Sequence, residues 1–544
     1  MDAKMPHKWP HNKLPSLLEC SNLMKRCIRS GFNRSPFRLR RQLLKLFAQL
    51  MIVFALFTLS IRSKDIRDAY QAKKYAKITG RLDIISSIYF SQSKSFDADT
   101  VVILFNAHRD FINADVSIRC FANSATNSSG ALATIRYSSW ASYNCKWNTY
   151  IAECTTLPNM ILLRIATYDS KSRSHEPRLV EIPFKHDVKM KNDVVSCVSP
   201  LFFFERWQML FAFVEVYRFF GVSKQSIYVG SILTNIMRIL QKYEEHGSVE
   251  LIPWTMLLYD GPLDGDDPNR ELSWRNQETA MNECFFRYKE SASFILFLDV
   301  DEILIPTSSS YFNDFRVLTE GTAIASFTFE KFYTKTLTNI IPSSYSLSKL
   351  LLGSTLDPFM KGEGKSIVIP SKVSSMWIHW PPKKSIAEGY HHVNLNSTNN
   401  FFFHPRYWQY VFRNPRTTMQ PLFDERSETL RLRQRLAWSK LVEVEKSFID
   451  FVKAEDLLDI YSKLDVAIIY DSMFEACFTS VIDQQLEARR DYCPTSTECY
   501  IPRIYGVECT VAQSSFQVNE LKNRVIYTIA RKTFKNVNNG CFHV

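Results

Sequence analysis

Glycine is scarce, at 15 of 544 residues, so the chain has little material for long flexible linkers. It carries no internal repeat and no low-complexity tract, which excludes solenoids and compositional tails. No Cys-x-x-Cys pair occurs among its 12 cysteines, so zinc frames of that spacing are excluded as well. Excess charge is missing from nearly the whole chain: residues 1–45 hold 11 Lys and Arg against 2 acids, so +9 of the net +12 sits there and the other 499 residues carry +3. A basic nucleic-acid-binding surface is therefore not expected on the body of the protein. Apolar residues at 46% and charged residues at 22% exclude both wholesale disorder and a polytopic membrane bundle. What is present is chain enough for roughly two to four domains around a large core.

One apolar run stands out. Leu43 to Ile61 is interrupted only by Lys45 and Gln49, close to the ~20 residues that cross a bilayer. Arg34, Arg38, Arg40, Arg41 and Lys45 crowd its N-terminal side, so the positive-inside rule predicts a cytoplasmic tail over 1–42, a signal anchor over 43–61 and a lumenal remainder. A cleaved signal peptide fits less well, because a long polar stretch precedes the run and no small-residue cleavage site follows it. Ten cysteines lie beyond the anchor, an even number that permits full disulfide pairing in an oxidising compartment, with the pairing itself left open. Asn127-Ser-Ser and Asn396-Ser-Thr are glycosylation sequons on the lumenal side.

The lumenal part divides by its patterning. Residues 62–83 are polar and read as a stem, and 84–191 carry short β-rich runs at Thr100–Phe105, Val116–Phe121, Ala133–Tyr137 and Met160–Ile165, separated by turn residues. That segment reads as a packing or carbohydrate-binding module. From 192 to 413 helix and strand alternate: an apolar helix over Leu201–Phe220, a strand at Ser226–Val229, a helix over Ser231–His246, a strand at Val249–Pro253, a helix over Arg270–Glu290, and a buried strand at Ser293–Leu298. The order predicts an α/β fold with a parallel sheet covered on both faces. Residues 414–544 read as a helical extension, with Cys493 and Cys499 bracketing a loop that a disulfide would close.

The last strand of the series runs straight into Asp299-Val-Asp301-Glu302. Carboxylates at the end of an apolar strand repel one another and lose hydration, so they call for a compensating cation. Asp299 and Asp301, two apart in an extended segment, point the same way and suit a hard divalent metal such as Mg²⁺ or Mn²⁺. Ligands of such sheets bind beyond the carboxyl ends of the strands, where this tip lies.

From about Val195 to Trp408 the sequence resembles glycosyltransferase family 92. The resemblance rests on Cys197-Val-Ser-Pro200, Glu215-Val-Tyr217 before Gly221, the Ile227-Tyr228 strand, Gln277 with Ala280 and Cys284, Phe297-Leu-Asp299-Val-Asp301-Glu302, Lys365-Ser-Ile-Val, His379, and His404-Pro-Arg406-Tyr407. It implies a GT-A (Rossmann-like) glycosyltransferase domain, a nucleotide-sugar donor, Mn²⁺ held by Asp299 and Asp301, and galactose transfer from UDP-galactose to a glycan acceptor with inversion. It also implies a Golgi or ER lumenal setting. His379 or His404 would complete the metal shell, Lys365 would meet phosphate, and Glu215, Tyr228 and Gln277 would line the donor site. Glu302 and Glu330 both stand as the general base. Gly230, Glu283 and Pro405 depart from the family pattern.

Two other readings share these residues. FILFLDVDEIL also resembles the first motif of haloacid-dehalogenase phosphatases, but there the motif opens its domain and Ile303 stands where Thr or Val is wanted. The third is a membrane-anchored carbohydrate-binding protein that has kept the fold without the chemistry, its aromatics serving as sugar platforms.

Overall fold

The strand Asn192–Leu201 is the axis of the fold, and its alternation explains why. Val194 and Val198 face one apolar cluster, with Trp207–Phe219 above them, whereas Val195 and Cys197 face another, with Gln277–Tyr288. A strand covered on both faces calls for a nearly continuous apolar run, which Phe294–Leu298 supplies throughout and Val194–Val198 supplies except at the buried Ser196. The computed structural model describes residues 80–113, 116–139, 144–169, 179–259, 267–396, 400–411, 438–466, 468–477, 480, 493, 495, 499–520 and 525–543. The predicted tail, anchor and most of the stem lie outside the described residues. No helix among the described residues is long and apolar enough to cross a membrane.

The core sheet has seven strands in the order Val249–Pro253, Lys224–Val229, Asn192–Leu201, Ala292–Leu298, Ser366–Val368, Ile324–Phe329, His391–Leu395. The first four are parallel, as the alternation predicts. Starting at Asn192–Leu201, the chain builds outward through two strands to Val249–Pro253 and then returns to the other side of its starting strand. The direction of winding therefore reverses between Asn192–Leu201 and Ala292–Leu298, which makes a topological switch point there.

Several boundaries differ from expectation. The helix expected over Leu201–Phe220 begins at Trp207, because Leu201 still belongs to the preceding strand. The helix expected over Ser231–His246 is Thr234–Glu245, because Ser231–Leu233 pairs as a strand with Cys509–Glu520. Residues 270–276 are short turns rather than helix, and Trp274, Arg275 and Asn276 hold φ of +48°, +53° and +63° before the helix Gln277–Tyr288.

The larger correction concerns residues 414–544. The expectation of a helical extension fits Trp438–Ala454, which packs on Trp207–Phe219 through Phe448 and Phe211, their ring centroids 5.6 Å apart. It fails for Cys509–Glu520 and Val525–Val537, a long antiparallel hairpin. This hairpin joins Ser231–Leu233 on one side and Gly80–Phe90 on the other. It thereby makes one eight-stranded sheet from the β-rich segment, the core and the C-terminus. The hairpin forms because its β-branched and aromatic residues find partners distant in sequence, a packing gain that local propensity does not report. Gly80–Asp83, expected as stem, belong to the same sheet.

All ten of the cysteines beyond the expected anchor are paired: Cys120–Cys154, Cys145–Cys493, Cys197–Cys284, Cys477–Cys499 and Cys509–Cys541. Cys493 and Cys499 do not join each other; Cys493 reaches the β-rich segment and Cys499 the helix Tyr470–Cys477. Five disulfides fit a protein of the secretory pathway.

Candidate functional site at the sheet switch point

Asp299 follows the strand Ala292–Leu298 at the switch point, and its carboxylate is the hub of the site. Oδ1 accepts from Gln277 Nε2 at 2.9 Å and from the Ser199 hydroxyl, while Oδ2 pairs with Lys365 Nζ at 3.1 Å. Ser199 comes from the neighbouring parallel strand and Gln277 from the first turn of its helix, and the two bond each other at 2.6 Å. Burial pulls the Asp299 carboxyl upward, but Lys365, Ser199 and Lys331 outweigh it and the net shift is downward. Asp301 behaves alike: burial raises it, and His404, Lys331 and Arg406 bring it well below the ordinary carboxylate range. Both carboxylates are thus ionised at neutral pH, and both keep contact with solvent, at 33% and 29% exposure.

The left-handed run Trp274–Asn276 aims Gln277 at this hub. Each such non-glycine residue costs on the order of 1–3 kcal/mol and persists only where its surroundings hold it. Asn276 and Asn106 exchange side-chain amide bonds at 2.7 and 3.1 Å, and Arg275 lies over Phe202 and Phe474 at 4.6 and 4.9 Å. The β-rich segment, which shows no catalytic pattern of its own, therefore supports the site through Asn106.

Glu302 is fully buried, and both oxygens are engaged: Oε2 accepts from the Asp299 backbone N–H at 3.1 Å and Oε1 from Lys331 Nζ at 3.1 Å. Burial raises its carboxyl despite Lys331. It braces the Asp299–Glu302 turn and presents no oxygen to a substrate. Glu330 differs. It follows Ile324–Phe329, which is antiparallel to Ser366–Val368, itself antiparallel to Ala292–Leu298. Glu330 therefore leaves the sheet at the same edge as Asp299, two strand spacings or about 10 Å away, and is 34% exposed beside Lys361.

The two histidines also separate. His404 Nε2 bonds Asp301 Oδ2 at 2.9 Å, and its Nδ1 is buried with no hydrogen-bond partner among the described residues. Pro405 follows it at a register shift in the strand Phe402–Val411, a position that dispenses with a ladder N–H. His379 Nδ1 lies 3.2 Å from the carbonyl oxygen of Gly364, and since that oxygen only accepts, Nδ1 carries the proton and Nε2 keeps its lone pair. Burial and the nearby Lys365 hold the His379 ring down to about 4, so it is neutral at pH 7. Glycine is required at 364, where a Cβ would fall 2.1 Å from the Phe329 carbonyl oxygen.

Lys365 is almost completely buried; beyond Asp299 it donates to the Ile378 carbonyl at 3.0 Å, so it is no solvated surface lysine. The remaining expected residues are elsewhere. Glu215 is buried in the helical layer, paired with Arg218 at 2.7 Å and bonded by Tyr243. Tyr228 is buried under the sheet, bonded to Glu283 and edge-on to Trp254. Neither has a contact with the Asp299 cluster among the described residues. Ser199 and Lys331 are site residues that the sequence analysis does not name, although Ser199 lies within Cys197–Pro200 and Lys331 follows Glu330.

Two ionised carboxylates and a neutral imidazole with a lone pair suit a hard divalent cation. Among the described residues, no three or more His, Cys, Asp or Glu are gathered into a metal shell; Lys365 and His404 face the two carboxylates instead.

The family profile of glycosyltransferase family 92 matches residues 192–448. In Caenorhabditis elegans, glycosyltransferase family 92 protein F59C6.8 is 28% identical over 479 residues, 84% of this chain and 88% of that protein. Glycosyltransferase family 92 protein F13G3.3, from the same organism, is 30% identical over 342 residues, 62% of this chain and 66% of that one. The match takes in the whole parallel core, the Asp299 hub and the helix that packs on it, and with relatives spanning most of the chain it makes this protein a member of glycosyltransferase family 92.

Proposed function

We propose that this protein is a single-pass type II membrane glycosyltransferase of the GT-A type, working in the Golgi lumen. It transfers a hexose, galactose from UDP-galactose, to a glycan acceptor with inversion and with Mn²⁺ or another divalent metal. The observation that carries this reading is the ionised, partly exposed Asp299/Asp301 pair at the switch point, held by partners that an incoming ligand can replace.

Asp299 and Asp301 would hold the metal, with His379 favoured over His404 as their companion because its Nε2 lone pair is uncommitted in the neutral tautomer. When bound, the metal supplies positive charge to the diphosphate leaving group. Lys365 and Lys331 are the cations next to that position, so Lys365 is the residue for a phosphate oxygen once Asp299 turns to the metal. Ser199 and Gln277 fix the Asp299 rotamer, and Glu302 fixes the turn beneath it. Glu330, rather than the enclosed Glu302, is the general base: it is partly exposed at the same sheet edge and about 10 Å from the pair, far enough to leave room for an acceptor hydroxyl.

The test uses the purified full-length chain with UDP-galactose, UDP-glucose and UDP-N-acetyl sugars, with and without Mn²⁺. Metal-dependent binding and turnover of UDP-galactose is the expected result. Binding of no donor by folded protein would sink the transferase reading.

A further inference from the structure

A cavity of about 300 Å³ lies under the core sheet, away from the Asp299 cluster, where the β-rich segment meets the helix Gln277–Tyr288. Its position follows from a gap in the large sheet. On one edge of Gly80–Phe90, pairing with Val525–Val537 ends at Ile84–Ile529, and pairing with Lys185–His186 begins at Ile88. Between them Ile85, Ser86 and Ser87 face no strand on that edge, and a register shift between Ile84 and Ser86 bulges the strand at the same place. All three line the cavity. Backbone groups at a ladder gap are open to a hydrogen-bonding ligand, and the Ser87 hydroxyl, on a residue 2% exposed, has no partner among the described residues.

The opposite wall has a different chemistry. Trp254, with Tyr228 edge-on to it, supplies an apolar surface. Lys532 and Lys185 supply charge. The Lys532 ammonium lies 4.4 Å from the centre of the Trp254 ring, and among the described residues neither lysine has a carboxylate within ion-pair distance. The acids nearby do not serve them: both oxygens of Glu283 are taken by Arg287 and Tyr228, and Glu250 is bound by Arg287, Ser226 and Tyr288. Burial pulls the Lys532 ammonium down to about 8, which leaves it charged at neutral pH. A sheltered cation without an anion is a cost that a bound anion removes.

We infer that this cavity is a binding site for a single acidic saccharide residue, one carrying a carboxylate or a sulfate. Its hydroxyls meet the gap at Ile85–Ser87, its C–H face meets Trp254, and its anion meets Lys532 and Lys185. The volume stands at the lower end of small-molecule sites, ~300–1,000 Å³, which fits one sugar and not an oligosaccharide. Glu283 and Arg287 lie about 9 and about 15 Å farther along the helix than Gln277, at ~1.5 Å per residue. The cavity is therefore separate from the donor site proposed above and does not depend on that reading.

Isothermal titration of the full-length chain with methyl β-D-glucuronide, methyl β-D-galactoside 6-sulfate, methyl β-D-glucoside and inorganic sulfate tests it. One acidic glycoside is expected to bind at least tenfold more tightly than the neutral one, and which of the two binds identifies the anion. Lys532→Gln is expected to weaken that binding at least tenfold and Lys185→Gln severalfold, whereas Asp301→Asn leaves it unchanged. Lys185 is exposed, so its variant keeps the test valid if Lys532→Gln fails to fold. Equal affinity for neutral and acidic glycosides, indifference to both lysine variants, or equally tight binding of sulfate alone would overturn the inference.

Discussion

Two kinds of carboxylate occupy the core domain, and they differ in what can replace their partners. Glu215 and Glu283 sit inside helices at 0% and 7% exposure, each gripped by an arginine of its own helix and by a tyrosine hydroxyl: Arg218 with Tyr243, Arg287 with Tyr228. Asp299 and Asp301 sit beyond a strand at 33% and 29% exposure, each facing a lysine or a histidine. Carboxylates closed off from water and gripped by a guanidinium brace the fold, whereas carboxylates that touch solvent and face a lysine or a histidine are able to change partners. Exposure and the type of partner, and not burial alone, therefore separate the two kinds of carboxylate.

The contrast can be broken from either side. The largest expected effect is on the strand-end pair: Asp301→Asn should lower metal-dependent donor turnover by more than about a hundredfold, since loss of a mere supporting residue costs ~10–100-fold. Its melting temperature should stay close to that of the parent chain, and a large drop would show Asp301 to be structural. Arg287→Met should do the reverse. It strands Glu283 and Glu250 and should cost about 3–5 kcal/mol of stability in chemical denaturation, with donor affinity per folded molecule unchanged.

A smaller effect is expected at Gly230, one of the departures from the family pattern. A Cβ there would meet the Phe202 ring at 2.5 Å, so Gly230→Ala should cost about 1–3 kcal/mol through overpacking. An unchanged melting temperature would show that Phe202 moves freely.

The smallest effect concerns Glu278, on the same helix as Glu283 but bonded by the Ser138 hydroxyl instead of an arginine. Burial raises its carboxyl to about 7. The folded chain then keeps a proton that the unfolded chain releases at the ordinary carboxyl value. Its stabilisation is complete below that value and is lost as pH rises through about 7. The melting temperature should fall between pH 5 and pH 8, and Glu278→Gln should flatten that part of the profile.

Much of the core was legible in the sequence because its signals are local. Phe294–Leu298 is an uninterrupted apolar run that only a strand buried on both faces accommodates, and the carboxylates beyond it need a cation wherever the chain folds. The even cysteine count beyond the expected anchor likewise permitted the full pairing that the structure has. The partners Ser199 and Lys331 were not legible, since they reach the acidic turn from other strands and no spacing along the chain reports that distance; Lys365 was expected at the site through the resemblance, but its pairing with Asp299 was not. Glu215 and Tyr228 carry the resemblance together with Gln277, yet they face the packing layers and not the strand ends.

By itself, then, the sequence determined the parallel α/β core, the acidic tip and the disulfide-bonded character of the protein, since each follows from residue chemistry and short-range periodicity. The tertiary structure alone decided the strand order that makes a switch point at Asp299, the enclosure of Glu302 against the partial exposure of Glu330, and the C-terminal hairpin that extends the large sheet over a cavity. Those outcomes depend on which distant surfaces bury each other, and contacts between residues hundreds of positions apart leave no periodic trace in the chain.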